Sequence, residues 1–228
     1  MNNIEQIIEK IKAIAGKNGM LEYNGGILYS SKDTLKKGDI YFMGYNPGGL
    51  GGAGSIEEDI KNLSSRKINA YLDEEWEPNG KKCQKGEAPL QKRVRYFFEK
   101  IDINIKDVCS TNLIFAQSRN AGGVSYPDDA DKCWKVHEYL IKEVVKPKTI
   151  ICMGNGEGES AYAYLWSKYS PNKEESITAN HGSWRIKAFQ TEGETPKWVI
   201  GLPHFSYYEL KGKQDEEKII EWIMTKLR

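Results

Sequence analysis

The chain has 228 residues, 33 basic against 32 acidic, a net charge of +1, and 39% hydrophobic with 29% charged residues. This is an ordinary soluble composition with enough length for a sizeable core, and so even a charge balance leaves nucleic-acid binding to local clustering. No apolar run approaches the ~18–20 residues of a membrane span, and charges interrupt the N-terminal isoleucines too often for a secretory leader, so a cytoplasmic protein with no membrane partner is expected.

In chain order, Ile4, Ile7, Ile8, Ile11 and Ile14 recur at helical spacing and predict a helix over 3–15 that stops at Gly16. GILYSS (26–31) reads as a short strand or an irregular cover. The run DIYFMG (39–44) is nearly continuous apolar sequence, as in a strand buried on both faces. A stretch with no regular pattern follows, read as a long insertion at about 48–88, and long loops of this kind are usually functional or mobile. PLQKRVRYFFEK (89–100) predicts a helix with Pro89 in its first turn, Leu90, Val94, Phe97 and Phe98 inward and Lys92, Arg93 and Arg95 in solvent. A strand is expected over 107–115, a helix over 128–145 opened by Asp128, Asp129 and Asp131, and a strand in TIICMGNG. Beyond it are predicted a helix at 159–169, strands at 181–190 and 197–206, and a last helix over 215–227.

Strands alternating with helices imply a parallel sheet covered on both sides. Ligands of such sheets bind beyond the carboxyl ends of the strands. Asn46, Asn112, Gly154–Gly156 and His204 each fall at or just past a predicted strand end. Asn46, before Pro-Gly, reads either as a turn former or as a neutral amide that holds a water or a substrate oxygen. Asn112, in a strand, is either a structural hydrogen-bonder or a reader of a base edge, since a carboxamide sets a donor beside an acceptor. His204 is either a satisfied loop histidine or a donor to charge developing on a leaving group. His137 reads as an ordinary helical residue. Cys83, Cys109, Cys133 and Cys152 contain no CxxC pair, which argues against a zinc ribbon, and they are read as core filler or incidental thiols.

GYNPGG after the first strand, TNL at the second, TIICMGNG at the third and the pair HGSWRIKAF and WVIGLPHFSYY together resemble the uracil-DNA glycosylase superfamily. The Asn-containing first motif is similar to that of its mismatch-specific and single-strand-selective branches. The resemblance runs from about 38 to 210. It implies a single α/β domain over 1–228, three-layer α/β/α around a mostly parallel four-stranded sheet. It also implies a monomer that acts on a modified base in single- or double-stranded DNA without a cofactor, metal or iron–sulfur cluster. Asn112 would hold the flipped base, His204 would stabilise it as it departs, and Asn46 would position the attacking water without deprotonating it. Tyr45 and Phe115 would shape the base pocket, and Tyr207 and Tyr208 would fill the space the base vacates. Gly48, Gly49 and Gly51, with Ser206, Lys92 and Arg93, would meet the DNA backbone. Phe205 stands where the superfamily has proline.

Two other readings remain open on the sequence. One keeps the fold as a catalytically degenerate nucleic-acid-binding module. The other takes Gly49, Gly51 and Gly54 with Asp73 as a dinucleotide-binding fingerprint, although no second strand is predicted before Asp73.

Overall fold

A computed structural model describes residues 3–49, 52, 54–119 and 121–227. The chain is α/β, with seven α-helices among these residues around a six-stranded mixed sheet. Its strands are β1 (Ile40–Gly44), β2 (Cys109–Asn112), β3 (Thr149–Met153), β4 (Glu175–Thr178), β5 (Arg185–Gln190) and β6 (Trp198–Leu202), in the spatial order β2-β1-β3-β6-β5-β4. The first four in that order run parallel, and β5 and β4 are added antiparallel at one edge. The four-stranded expectation therefore falls short by the β4–β5 hairpin. Half-exposed, alternating edge strands carry a weaker apolar signal than strands covered on both faces, and β4 is nowhere fully buried.

β1 is buried at all five positions. Tyr41 and Met43 enter one core cluster and Ile40 and Phe42 the other, because successive side chains leave opposite faces. The first cluster is completed by α1 (Ile4–Lys17), α2 (Ile56–Leu63), α5 (Asp128–Tyr139) and α6 (Ala161–Tyr169). The second is completed by α3 (Ala70–Asp73), α4 (Pro89–Lys100) and α7 (Glu216–Met224). Local signals start these helices. Asn3 and Gln6 form a capping box on α1, and Ser55 and Glu58 form one on α2. Past Tyr139, α5 continues as a π-helix over Leu140–Val145.

The stretch read as irregular insertion is partly helical and partly core. Ile56, Ile60 and Leu63 of α2 and Tyr71 of α3 are at most 1% exposed. The Gln91 side chain staples α3 to α4, donating to the Ala70 carbonyl at 2.7 Å and the Glu74 carbonyl at 2.9 Å. Residues 26–31 are the irregular cover, bridged to β2 where Leu28 meets Thr111. Strand β2 is shorter than the 107–115 expected: Leu113 and Ile114 still bond the carbonyls of Gly44 and Tyr45, but beyond ladder geometry. No helix of the described residues is long and apolar enough to cross a membrane.

Candidate functional site

From β1 the chain goes to β2 on one side and afterwards to β3 on the other, so the carboxyl ends of β1 and β3 form the switch point where such sheets open a crevice. Register aligns the strand ends: Gly44 pairs with Asn112, Met43 with Cys152 and Met153 with Leu202. Asn46 and His204 each lie two residues beyond this row. With strands about 4.8 Å apart, their loops leave the sheet roughly 10 Å from one another.

Asn112 is 4% exposed, and its amide nitrogen Nδ2 has no hydrogen-bond partner. Gly44 makes the room for it, since a Cβ there would lie 2.1 Å from Asn112 Oδ1 and 3.5 Å from Met153 Cε. The Tyr29 phenol stands beside this amide. Burial, then the charge of Glu74, raises the Tyr29 pKa, and Asn112 pulls it back, yet the pair falls short of a hydrogen bond. Tyr29 is held by its N–H, which donates to the Ser110 carbonyl at 2.8 Å, and by the Tyr71 ring at 5.9 Å. A buried unpaired amide donor costs about 1–3 kcal/mol, and a carbonyl oxygen brought to Nδ2 recovers it.

Asn46 is half-buried. Its Nδ2 donates to the Pro47 carbonyl at 3.0 Å and to Ser118 Oγ at 2.7 Å. The Pro47 carbonyl can only accept, so it fixes the amide orientation and makes Oδ1 the acceptor that a water would meet. The glycine loop beyond is shaped by Gln117. That side chain donates to the Gly48 carbonyl at 3.0 Å, and a Cβ on Gly49 would lie 2.5 Å from its Nε2. Gly48 and Gly49 are exposed, and Gly51 lies outside the described residues.

His204 accepts from the Ser206 N–H at Nδ1, 3.1 Å away. The neutral ring therefore carries its proton on Nε2, and burial lowers its pKa, favouring that neutral form. Gly154, just past β3, has φ +115°, a conformation that side chains rarely adopt, and a Cβ there would lie in ordinary contact with the ring at 3.8 Å. The result is a neutral N–H donor at the edge of the crevice, suited to an anionic oxygen.

Other expected site residues are placed differently. Tyr45 and Phe115 pack into the core cluster of α1, α2, α5 and α6, whereas the neighbours of Asn112, Tyr29 and Met153, belong to the opposite one. Tyr45 donates to Glu159 Oε2 at 3.4 Å, and Phe115 packs on His137 with ring centres 4.8 Å apart. Tyr208 is 1% exposed and donates to the Ala179 carbonyl at 3.1 Å, so it is a core residue and no wedge. Tyr207, at 74%, is the exposed one, and Ser206 is exposed beside it. Arg93 is turned inward: its Nη1 donates to the carbonyls of Phe205 at 2.7 Å and Ser206 at 3.0 Å, so it supports the His204 loop in place of a phosphate. Lys92 makes an exposed pair with Glu87 at 2.8 Å, weak enough to be exchanged for a phosphate. Asp73 accepts from the Asn69 N–H at 2.8 Å within α3, far in role from the strand-end acid of a dinucleotide site.

Sequence reasoning passed over Tyr29, Gln117, Ser118 and Glu159. The polar pair directly after the second apolar run was a readable signal for Gln117 and Ser118, while Tyr29 comes from a cover segment with no motif at all. A groove of about 300 Å³ lies between α4 and residues 209–211, lined by Lys92, Arg93, Tyr96, Glu209 and Leu210 among others. Among the described residues no three His, Cys, Asp or Glu side chains are grouped to hold a metal ion. No protein-family model matches the chain, and no curated protein matches it.

Proposed function

We propose that this chain is a DNA glycosylase of the uracil-DNA glycosylase kind, hydrolysing the N-glycosidic bond of a flipped uracil or other modified base. The observation that carries the reading is the buried, unpartnered Nδ2 of Asn112, kept over Gly44 at a strand end. A pyrimidine carbonyl would accept from Nδ2 while the ring N–H donates to Oδ1. As the bond to the sugar breaks, the base leaves as an anion, and His204 Nε2–H donates to its oxygen. Asn46 Oδ1 orients water toward the oxocarbenium-like sugar. An amide takes no proton, so turnover is slow beside that of a carboxylate base. Flipping the nucleotide costs a few kcal/mol, and exposed Tyr207 is the candidate to fill the gap.

The test is base release from end-labelled single- and double-stranded oligonucleotides carrying uracil, hypoxanthine or 5-substituted pyrimidines, read by alkaline cleavage. Cleavage by the wild type, lost in Asn46→Ala and Asn112→Ala, is expected. A second reading, a binding module without catalysis, is favoured by Tyr29 and the near-complete burial of Asn112. DNA binding with no base released from any of these substrates would replace the first reading by the second.

A further inference from the structure

The loop after β6 turns back on His204 through two successive peptide units, and Arg93 of α4 grips both. In the first, the Phe205 carbonyl accepts from Arg93 Nη1 at 2.7 Å while the Ser206 N–H donates to His204 Nδ1 at 3.1 Å. In the second, the Ser206 carbonyl accepts from the same Nη1 at 3.0 Å while the Tyr207 N–H donates to the His204 carbonyl at 2.9 Å. In a trans peptide the C=O and N–H point opposite ways, so a cation on the carbonyl side strengthens the donor on the other. We infer that Arg93 is a positioning residue for His204, acting through the Phe205–Ser206 peptide to fix the imidazole as the neutral tautomer with its proton on Nε2.

Two features distinguish this from simple loop support. The bond reaches the ring nitrogen itself, and which nitrogen is protonated is set by the bond the other one makes. The guanidinium also supplies charge, and charge-assisted hydrogen bonds are roughly twice as strong as neutral ones. Around this unit stand Arg93 from α4, Tyr207 and Glu209 from the loop itself and Gly154 from the end of β3; Glu209 lies 3.7 Å from Arg93 Nη2. Burial lowers the His204 pKa in the same direction as Arg93 acts. The consequence for catalysis rests on the glycosylase reading, but the protonation state of His204 can be measured without it.

The experiment is ¹⁵N NMR of the histidine rings in the full chain, wild type against Arg93→Gln, Arg93→Lys and Glu209→Gln, with base release measured in parallel. Wild-type His204 is expected as a single tautomer protonated on Nε2. Arg93→Gln keeps a donor and loses the charge; it should give a mixture of tautomers and a titration midpoint moved up toward an ordinary histidine. Arg93→Lys restores the charge and should recover the wild-type tautomer. Glu209→Gln, an exposed change harmless to the fold, relieves Arg93 of its counter-charge and should move the midpoint down. A folded Arg93→Gln protein with wild-type tautomer and midpoint overturns the inference, as does a Lys variant no better than Gln. If Arg93→Gln fails to fold, an unmoved midpoint in Glu209→Gln overturns it instead. Failure of the glycosylase reading shows separately, as absent base release from a wild type whose His204 behaves as described.

Discussion

Gly44 has no side chain, and Asn112 uses the space that this leaves. In Gly44→Ala the new methyl carbon would stand 2.1 Å from Asn112 Oδ1, so the amide has to turn or the strands have to part. Overpacking of this kind costs about 1–3 kcal/mol. The substitution is expected to destabilise the protein by that amount in urea denaturation and, on the proposed function, to abolish base release, the outcome also expected of Asn112→Ala. A Gly44→Ala protein that still released bases at the wild-type rate would remove Asn112 from the site. Asn46 and His204 are similarly constrained by close neighbours, Asn46 by the Pro47 carbonyl and Ser118 Oγ and His204 by the Ser206 N–H. These three residues were legible in the sequence because each is a polar residue at the end of an apolar run. Tyr45 and Phe115 are buried in the core cluster opposite to that of Asn112's neighbours, and nothing in a one-dimensional pattern says which face of the sheet an aromatic just past a strand end will take.

At the scale of elements, α2 separates an insertion from a structural helix. Its Ile56, Ile60 and Leu63 are at most 1% exposed and share a core cluster with α1. Ile60→Ala is therefore expected to cost about 2–5 kcal/mol, measured as a fall in the urea midpoint with unchanged slope. A cost near zero would return this stretch to the status of a loop. The sequence signal was present in the Ser55–Glu58 capping box and in apolar residues spaced four and three apart. The glycines just before it mask it, together with the short span: eight residues barely exceed two turns, too few for a periodicity to stand out. The outer strand β4 was blurred in the same way, since none of its positions is fully buried, whereas β5 lies within the strand expected over 181–190.

Across the whole molecule, the sheet buries a titratable group that ties stability to pH. His137 is fully buried between Tyr41, whose hydroxyl lies 2.9 Å from Nδ1, and the Leu113 carbonyl, 3.0 Å from Nε2. Burial holds its pKa at about 4, below the ordinary 6.5. The unfolded chain then binds more protons between these values, so stability falls with falling pH: it is fully present above 6.5 and lost progressively down to about 4. The difference corresponds to about 3 kcal/mol from this group. Burial raises the pKa of Asp59, which acts in the opposite sense, so the check is a comparison of urea stability across this pH range between wild type and His137→Gln. The wild type should lose the steeper share on acidification; equal slopes would place the acid sensitivity elsewhere.

The sequence by itself determined the alternation of strands and helices that makes an α/β fold, and the polar residues that stand at the strand ends. Those follow from local physics: apolar runs that must be buried on both faces, helix caps, and residues that end a run. Only the tertiary structure decided that Tyr29 from a cover segment lies against Asn112, that Gln117 fits over Gly49, that Tyr208 is core and that Arg93 faces inward. Each of these depends on which groups from distant parts of the chain meet, 112 residues apart for Arg93 and Phe205. Spacing along a chain carries no information about such meetings until the sheet order and register are set.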